Sequence, residues 1–212
     1  MIRINLHIIF SVLLITLITS SLKYAEHPDT TKSRLQNNLD LIKSAANSFD
    51  INWRTLAGII YVERTSNVDW TDDALDNLLA VSGLNSSIGF CQVKMKTAYW
   101  IEVQLNDTTS NYFPGIKTSG QLLVSQSPDE IIYKLNNDSL NILYAAAYIK
   151  IIEEYWAKSG FKLQEKQAVV ATLYSTGLFK RDGTERKPND NPKINWFGKN
   201  YISVVELIKG IK

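Results

Sequence analysis

Glu63 is the residue best placed for chemistry. It follows Leu56 by seven positions, Ile59 by four and Ile60 by three, so on a helix its carboxylate shares a face with three apolar side chains. Such a carboxylic acid has its pKa raised by desolvation, stays protonated near neutral pH and can give its proton to a leaving oxygen. The competing reading is a helix-end glutamate that reaches solvent. Other chemistries are short of parts. The chain holds two histidines, His7 and His27, and one cysteine, Cys91. A histidine-dependent triad would have to recruit His27 from near the N-terminus, and a Cys/His zinc site lacks ligands. Carboxylates and hydroxyls are left, so acid/base work on Asp or Glu is expected, with no cofactor and no metal. Asp69, Asp72, Asp73 and Asp76 follow Glu63 in a polar stretch; one of them could position a water, or they cap helices in a solvated loop.

These groups need elements to hold them. From Ser33, apolar residues at Leu35, Leu39, Ile42, Ala46 and Phe49 predict an amphipathic helix. Trp53 to about Arg64 predicts a second, apolar nearly all round and therefore central. The stretch from Thr65 to Ser87 reads as a loop around one apolar island. After Ile88 to Val93, a helix is expected from Thr97 to Leu105. Ser127-Pro128-Asp129-Glu130 is a capping box with Pro at the first helical position. Asp138 or Ser139 opens a helix that stops at Gly160. Gln164 to Ser175 and Tyr201 to Ile208 complete the set. No strand pattern competes and no repeat is present, which predicts an all-α bundle of seven or eight helices.

With 212 residues and a formal charge of +2, the chain fits one globular domain and carries no signature of nucleic-acid binding. Its start is distinctive. Arg3, the apolar run Ile8 to Ile18 and the small residues Thr19-Ser20-Ser21 read as an export signal. A retained membrane anchor is the alternative, because no formally charged residue falls between Arg3 and Lys23. Both place the remainder outside the cytoplasm, periplasmic, secreted or tethered. The expected organisation is 1–22 as signal or anchor, 23–50 as an N-terminal helix, 51–180 as the catalytic domain and 181–212 as a C-terminal loop and helix.

Four blocks in order carry a family resemblance. Leu56-Ala57-Gly58-Ile59-Ile60-Tyr61-Val62-Glu63 resembles the apolar helix that ends in the catalytic Glu of soluble lytic transglycosylases, and Ile88-Gly89-Phe90-Cys91-Gln92-Val93-Lys94 looks like that family's Gly-Leu-Met-Gln segment. Asn141-Ile142 with Ala147-Tyr148-Ile149-Lys150 is similar to its penultimate helix, and Ala171 to Gly177 is similar to its Ala-Tyr-Asn-Ala-Gly motif. Arg64 stands where the family has Ser, Cys91 where it has Met and Ser175 where it has Asn.

The resemblance implies a lysozyme-like single-domain helical bundle with an open substrate groove. It also implies cleavage of the MurNAc–GlcNAc β-1,4 bond of peptidoglycan, with Glu63 as the one acid/base and 1,6-anhydromuramyl ends as product. Gly89, Phe90, Gln92, Tyr148, Tyr174 and Ser175 are the implied substrate-binding residues. Peptidoglycan strands are then the partner, with a membrane contact through the N-terminal segment and no nucleic acid. Two readings compete: a lysozyme-like muramidase that hydrolyses the bond, and a glycan-binding or assembly protein that kept the fold and lost turnover.

Overall fold

The computed structural model describes residues 25–66, 87–180 and 182–211. Residues 1–22, read above as export signal or anchor, and Asp69, Asp72, Asp73 and Asp76 lie outside the described residues. Eight α-helices and one two-stranded hairpin are found among those described: α1 Pro28–Asn37, α2 Leu39–Phe49, α3 Trp53–Ser66, β1 Ser87–Ile88, β2 Val93–Lys94, α4 Met95–Asn106, α5 Pro128–Asn136, α6 Asp138–Lys158, α7 Gln167–Thr176 and α8 Trp196–Lys209. The chain is all-α as expected, with lysozyme-like character. None of the described helices is long and apolar enough to cross a membrane.

Several details differ from the sequence reading, and three stand out. The single helix expected from Ser33 is two, because the chain breaks at Asn38, whose side-chain amide and backbone N–H both return to the Arg34 carbonyl. The last helix begins at Trp196 rather than Tyr201: Asn195 caps it, accepting from the Gly198 N–H at 2.9 Å. The hairpin was not anticipated, since two-residue strands carry no alternation. At α5 the capping box reads as expected, with Ser127 Oγ accepting from Glu130 N–H.

Helix α3 is the axis of the fold. Every residue from Thr55 to Arg64 is buried, and α1, α2, α7 and α8 all pack against it. Helix α8 comes so close that a Cβ on Gly58 would run into the Tyr201 ring, which only a glycine avoids. Helix α6 forms the opposite wall, packing on α2, α5 and α7, and Ala145, Ala146 and Ala147 are fully buried at its waist.

A buried charge elsewhere shows what a structural carboxylate looks like here. Glu102 on α4 is fully buried and accepts from Ser125 N–H at 2.7 Å, Ser125 Oγ at 2.8 Å, Lys134 Nζ at 3.2 Å and the Tyr144 hydroxyl. Saturated in this way, it ties the segment before α5 to α4 and α6.

Candidate functional site

Glu63 lies near the C-terminal end of α3, only 9 % exposed, on the wall of a cleft of ≈ 390 Å³. The hairpin, α4, α6, α7 and the start of α8 form the other walls. Five of the seven residues expected at the site line it together: Glu63, Gln92, Tyr148, Tyr174 and Ser175. They come from four stretches more than twenty residues apart in sequence. Glu63 is the one carboxylate on the cleft wall among the described residues.

Gly89 and Phe90 are the two that do not line the cleft; they stand behind it. Gly89 has φ +77°, and a Cβ there would clash with the Leu135 carbonyl and the Asn141 amide. A left-handed turn made against α5 and α6 is what requires glycine here. Phe90 is 1 % exposed and lies between two guanidinium groups, Arg34 and Arg64, each 5.1 Å from its ring centroid.

The hairpin turn is fixed by one side chain. Asn141, fully buried on α6, donates to the Ile88 carbonyl and the Leu135 carbonyl, both at 2.9 Å, and accepts from the Cys91 N–H at 2.6 Å. Gln92 then sits at φ +55°, a conformation non-glycine residues seldom adopt, with its Nε2 donating to the Gly89 carbonyl at 2.8 Å. The strain and the close packing together bring Gln92 to the cleft wall.

Tyr174 crosses from α7 to the same turn, its hydroxyl donating to the Cys91 carbonyl at 3.2 Å. Burial pushes its pKa well up, and the nearby Cys91 and Glu63 add to the rise. It therefore stays a neutral hydroxyl across the physiological range. The Cys91 thiol is raised in the same way, chiefly by burial, which leaves it an inert core side chain. Tyr148 packs on Tyr174 at 5.6 Å between ring centroids, and burial pushes its pKa to about 12.

Aromatic surface continues outward from there. Trp100 meets Tyr148 and Phe179 edge-on, both at 6.2 Å. A shallower depression lined by Trp100, Tyr148 and Phe179 adjoins the cleft through Thr97, Tyr148 and Gly177. Sugar rings present apolar C–H faces that stack on such side chains.

Sequence reasoning missed Trp196, which is 55 % exposed and lines the cleft beside Phe197. Asn195 was the available signal, as the cap that starts α8 early. Lys94 and Thr97 also line the wall; the first ends the hairpin and the second stands in the first turn of α4.

Arg64, the departure next to Glu63, is occupied with structure. It is 4 % exposed and forms a paired contact with Glu26, Nε to Oε2 at 2.6 Å and NH2 to Oε1 at 2.8 Å, while NH1 donates to the Phe90 carbonyl at 3.0 Å. Thr31 and Arg34 complete the shell of Glu26. Burial alone would raise the Glu26 pKa, but the Arg64 hydrogen bond, with Thr31 and Arg34 behind it, takes it down to about 2. A depressed acid stabilises the fold fully above its ordinary value of 4.5 and loses that contribution as pH falls toward 2. Between pH 4.5 and 2 the protein should lose on the order of 1–3 kcal/mol from this group, discounted for the solvent still reaching it. Urea midpoints measured across that range should fall less steeply in Glu26→Gln; an identical slope in the variant counts against the clamp.

The site thus offers a sheltered carboxyl group, neutral tyrosine hydroxyls, a constrained amide and a run of aromatic faces in one cleft. No curated protein matches the chain. Residues 12–154 match the family described as "T6SS, Peptidoglycan muramidase Tse3, catalytic domain". That span takes in α3 with Glu63, the hairpin and most of α6, and ends before α7. The chain belongs to this family, and with it to the lysozyme-like enzymes that cleave peptidoglycan.

Proposed function

We propose that the protein is a muramidase in which Glu63 protonates the glycosidic oxygen of the MurNAc–GlcNAc β-1,4 bond. The observation that carries this reading is the placement of Glu63, sheltered in a cleft with Gln92, Tyr148, Tyr174 and Ser175, in a chain of a peptidoglycan muramidase family. In this reading the carboxyl of Glu63, shielded from water, is the group that passes a proton to the leaving oxygen as the bond breaks. In this reading Gln92 meets acetamido or hydroxyl groups as donor and acceptor, Ser175 adds a hydroxyl at the rim, and Tyr148 and Tyr174 shape the wall beside the sugar. Gly89 and Phe90 take a positioning role: they set the turn that presents Gln92. The family description favours water as the second nucleophile, activated after departure of the leaving sugar. An aspartate from Asp69, Asp72, Asp73 or Asp76 would supply the second carboxylate that glycoside hydrolysis ordinarily uses.

A second reading has its own observation. Glu63 is the one carboxylate lining the cleft among the described residues, which suits a lytic transglycosylase. There the same Glu takes back the proton from the C6 hydroxyl, and a 1,6-anhydro end forms without water. Mass analysis of products from purified sacculi separates the two. Reducing ends carrying one added water support hydrolysis, and then Asn at one of the four aspartates should cost as much as loss of Glu63. Anhydro ends support transglycosylation, and then each of the four should tolerate Asn with modest loss.

A further inference from the structure

Thr176 lines the cleft on one side and also a second, wider depression of ≈ 910 Å³. Among the described residues its walls come from a turn, at 180, 182 and 184–187, and from the segment leading into α8. The turn is held by Arg186 N–H donating to the Leu178 carbonyl at 2.7 Å and by Lys180 N–H donating to the Thr184 carbonyl at 2.8 Å. The depression is cationic: Lys180, Arg186, Lys187 and Lys193 line it, against Asp182 and Glu185.

Both acids are already engaged. Asp182 accepts from Thr184 N–H at 2.9 Å and from Thr184 Oγ1 at 2.6 Å. Glu185 accepts from the Tyr112 hydroxyl, with Tyr155 as a second donor. None of the four cations forms an ion pair among the described residues. Independently of them, two buried donors lack an acceptor. Trp156, 2 % exposed, forms part of the wall, and its indole Nε1 has no hydrogen-bond partner among the described residues; neither has Arg186 Nε. A buried unpaired donor is costly and uncommon, and both belong to side chains that wall this one depression.

The substrate class supplies one. In peptidoglycan each MurNAc carries, through its lactyl group, a short peptide with free carboxylates, so a strand lying in the cleft hangs an anionic chain beside it. We propose that this depression receives the carboxylate-bearing stem peptide, so that the enzyme acts preferentially on peptide-substituted glycan. The proposal rests on the muramidase reading of the adjoining cleft. Each exposed lysine contributes weakly and is screened by salt; the four cations together select a peptide by its charge.

The test compares intact sacculi fragments with the same strands stripped of peptides by an amidase. The wild type should show a KM about five- to twentyfold lower on peptide-bearing strands, with kcat little changed. A Lys180→Gln, Lys187→Gln, Lys193→Gln triple variant, all three residues being exposed, should lose that preference and keep the wild-type rate on stripped strands. Equal KM for both substrates in the wild type, or a preference that survives in the triple variant, overturns the proposal. If the wild type cleaves neither, the muramidase reading falls by itself. Calorimetric titration then decides, using a soluble disaccharide-peptide and the same compound with its carboxylates amidated. Binding that is lost both on amidation and in the triple variant supports the depression as a carboxylate site, and binding indifferent to either, or no binding, rejects it.

Discussion

Replacing Glu63 by Gln is expected to lower the rate of wall cleavage by roughly 10²–10⁴-fold, the range that general acid–base catalysis commonly supplies. The amide matches the acid in shape and keeps its hydrogen-bonding capacity, but it has no proton to give to the leaving oxygen. Because Glu63 lines the cleft from near the end of a helix that is buried from Thr55 to Arg64, the exchange should leave the circular dichroism spectrum and the thermal midpoint close to wild type. Strand binding should also survive, since Gln92, Tyr148 and Tyr174 are untouched. A loss of kcat with KM preserved is therefore the expected pattern. Turbidity clearance by the variant at the wild-type rate would remove Glu63 from the mechanism.

The largest effect on stability is expected at Asn141. Its amide satisfies three backbone groups of two separate segments, the carbonyls of Ile88 and Leu135 and the N–H of Cys91. Leucine of similar volume leaves all three without partners in a fully buried place, at about 1–3 kcal/mol for each group before relaxation. A total near 3–5 kcal/mol is the expected loss in urea unfolding, a large share of what a domain of this size possesses. Aspartate is an instructive contrast, because it keeps the acceptor for Cys91 N–H and puts one oxygen, in place of the amide nitrogen, against two carbonyls. It should be as damaging as leucine. A variant of either kind with an unchanged midpoint would mean that the turn is held by something other than this residue.

Much of this arrangement was legible from the chain itself, for reasons that differ from element to element. The apolar periodicity of α3 places Glu63 among core residues, and a charge in that position is conspicuous in any sequence. Ser127 with Glu130 announces the start of α5 because capping is local chemistry. What escaped was set by long-range contact. Gly89 reads equally well as a turn or as a point of approach for a sugar, and only the closeness of Leu135 and Asn141 decides for the turn. Phe90 looks like a groove aromatic until two arginines from other helices are found on its faces. Trp196 fell in a stretch rich in Pro, Gly and Lys, where one asparagine cap is a faint signal beside so many breakers. Arg64 stands where the resembled family has serine; its paired contact reaches back 38 positions to Glu26, a separation that no spacing rule reports.

That contact has a practical corollary for anyone dividing the chain. Glu26 is bound through its side chain to Arg64 and Arg34 and through its backbone N–H to the Arg64 carbonyl. A recombinant fragment begun at residue 51, where helix α3 is about to start, would take the Glu26 carboxylate away from a buried guanidinium next to Glu63. Fragments for expression, crystallisation or directed evolution should therefore begin ahead of Glu26, and a protease that nips the chain after that residue should silence the enzyme without touching a single atom of the groove.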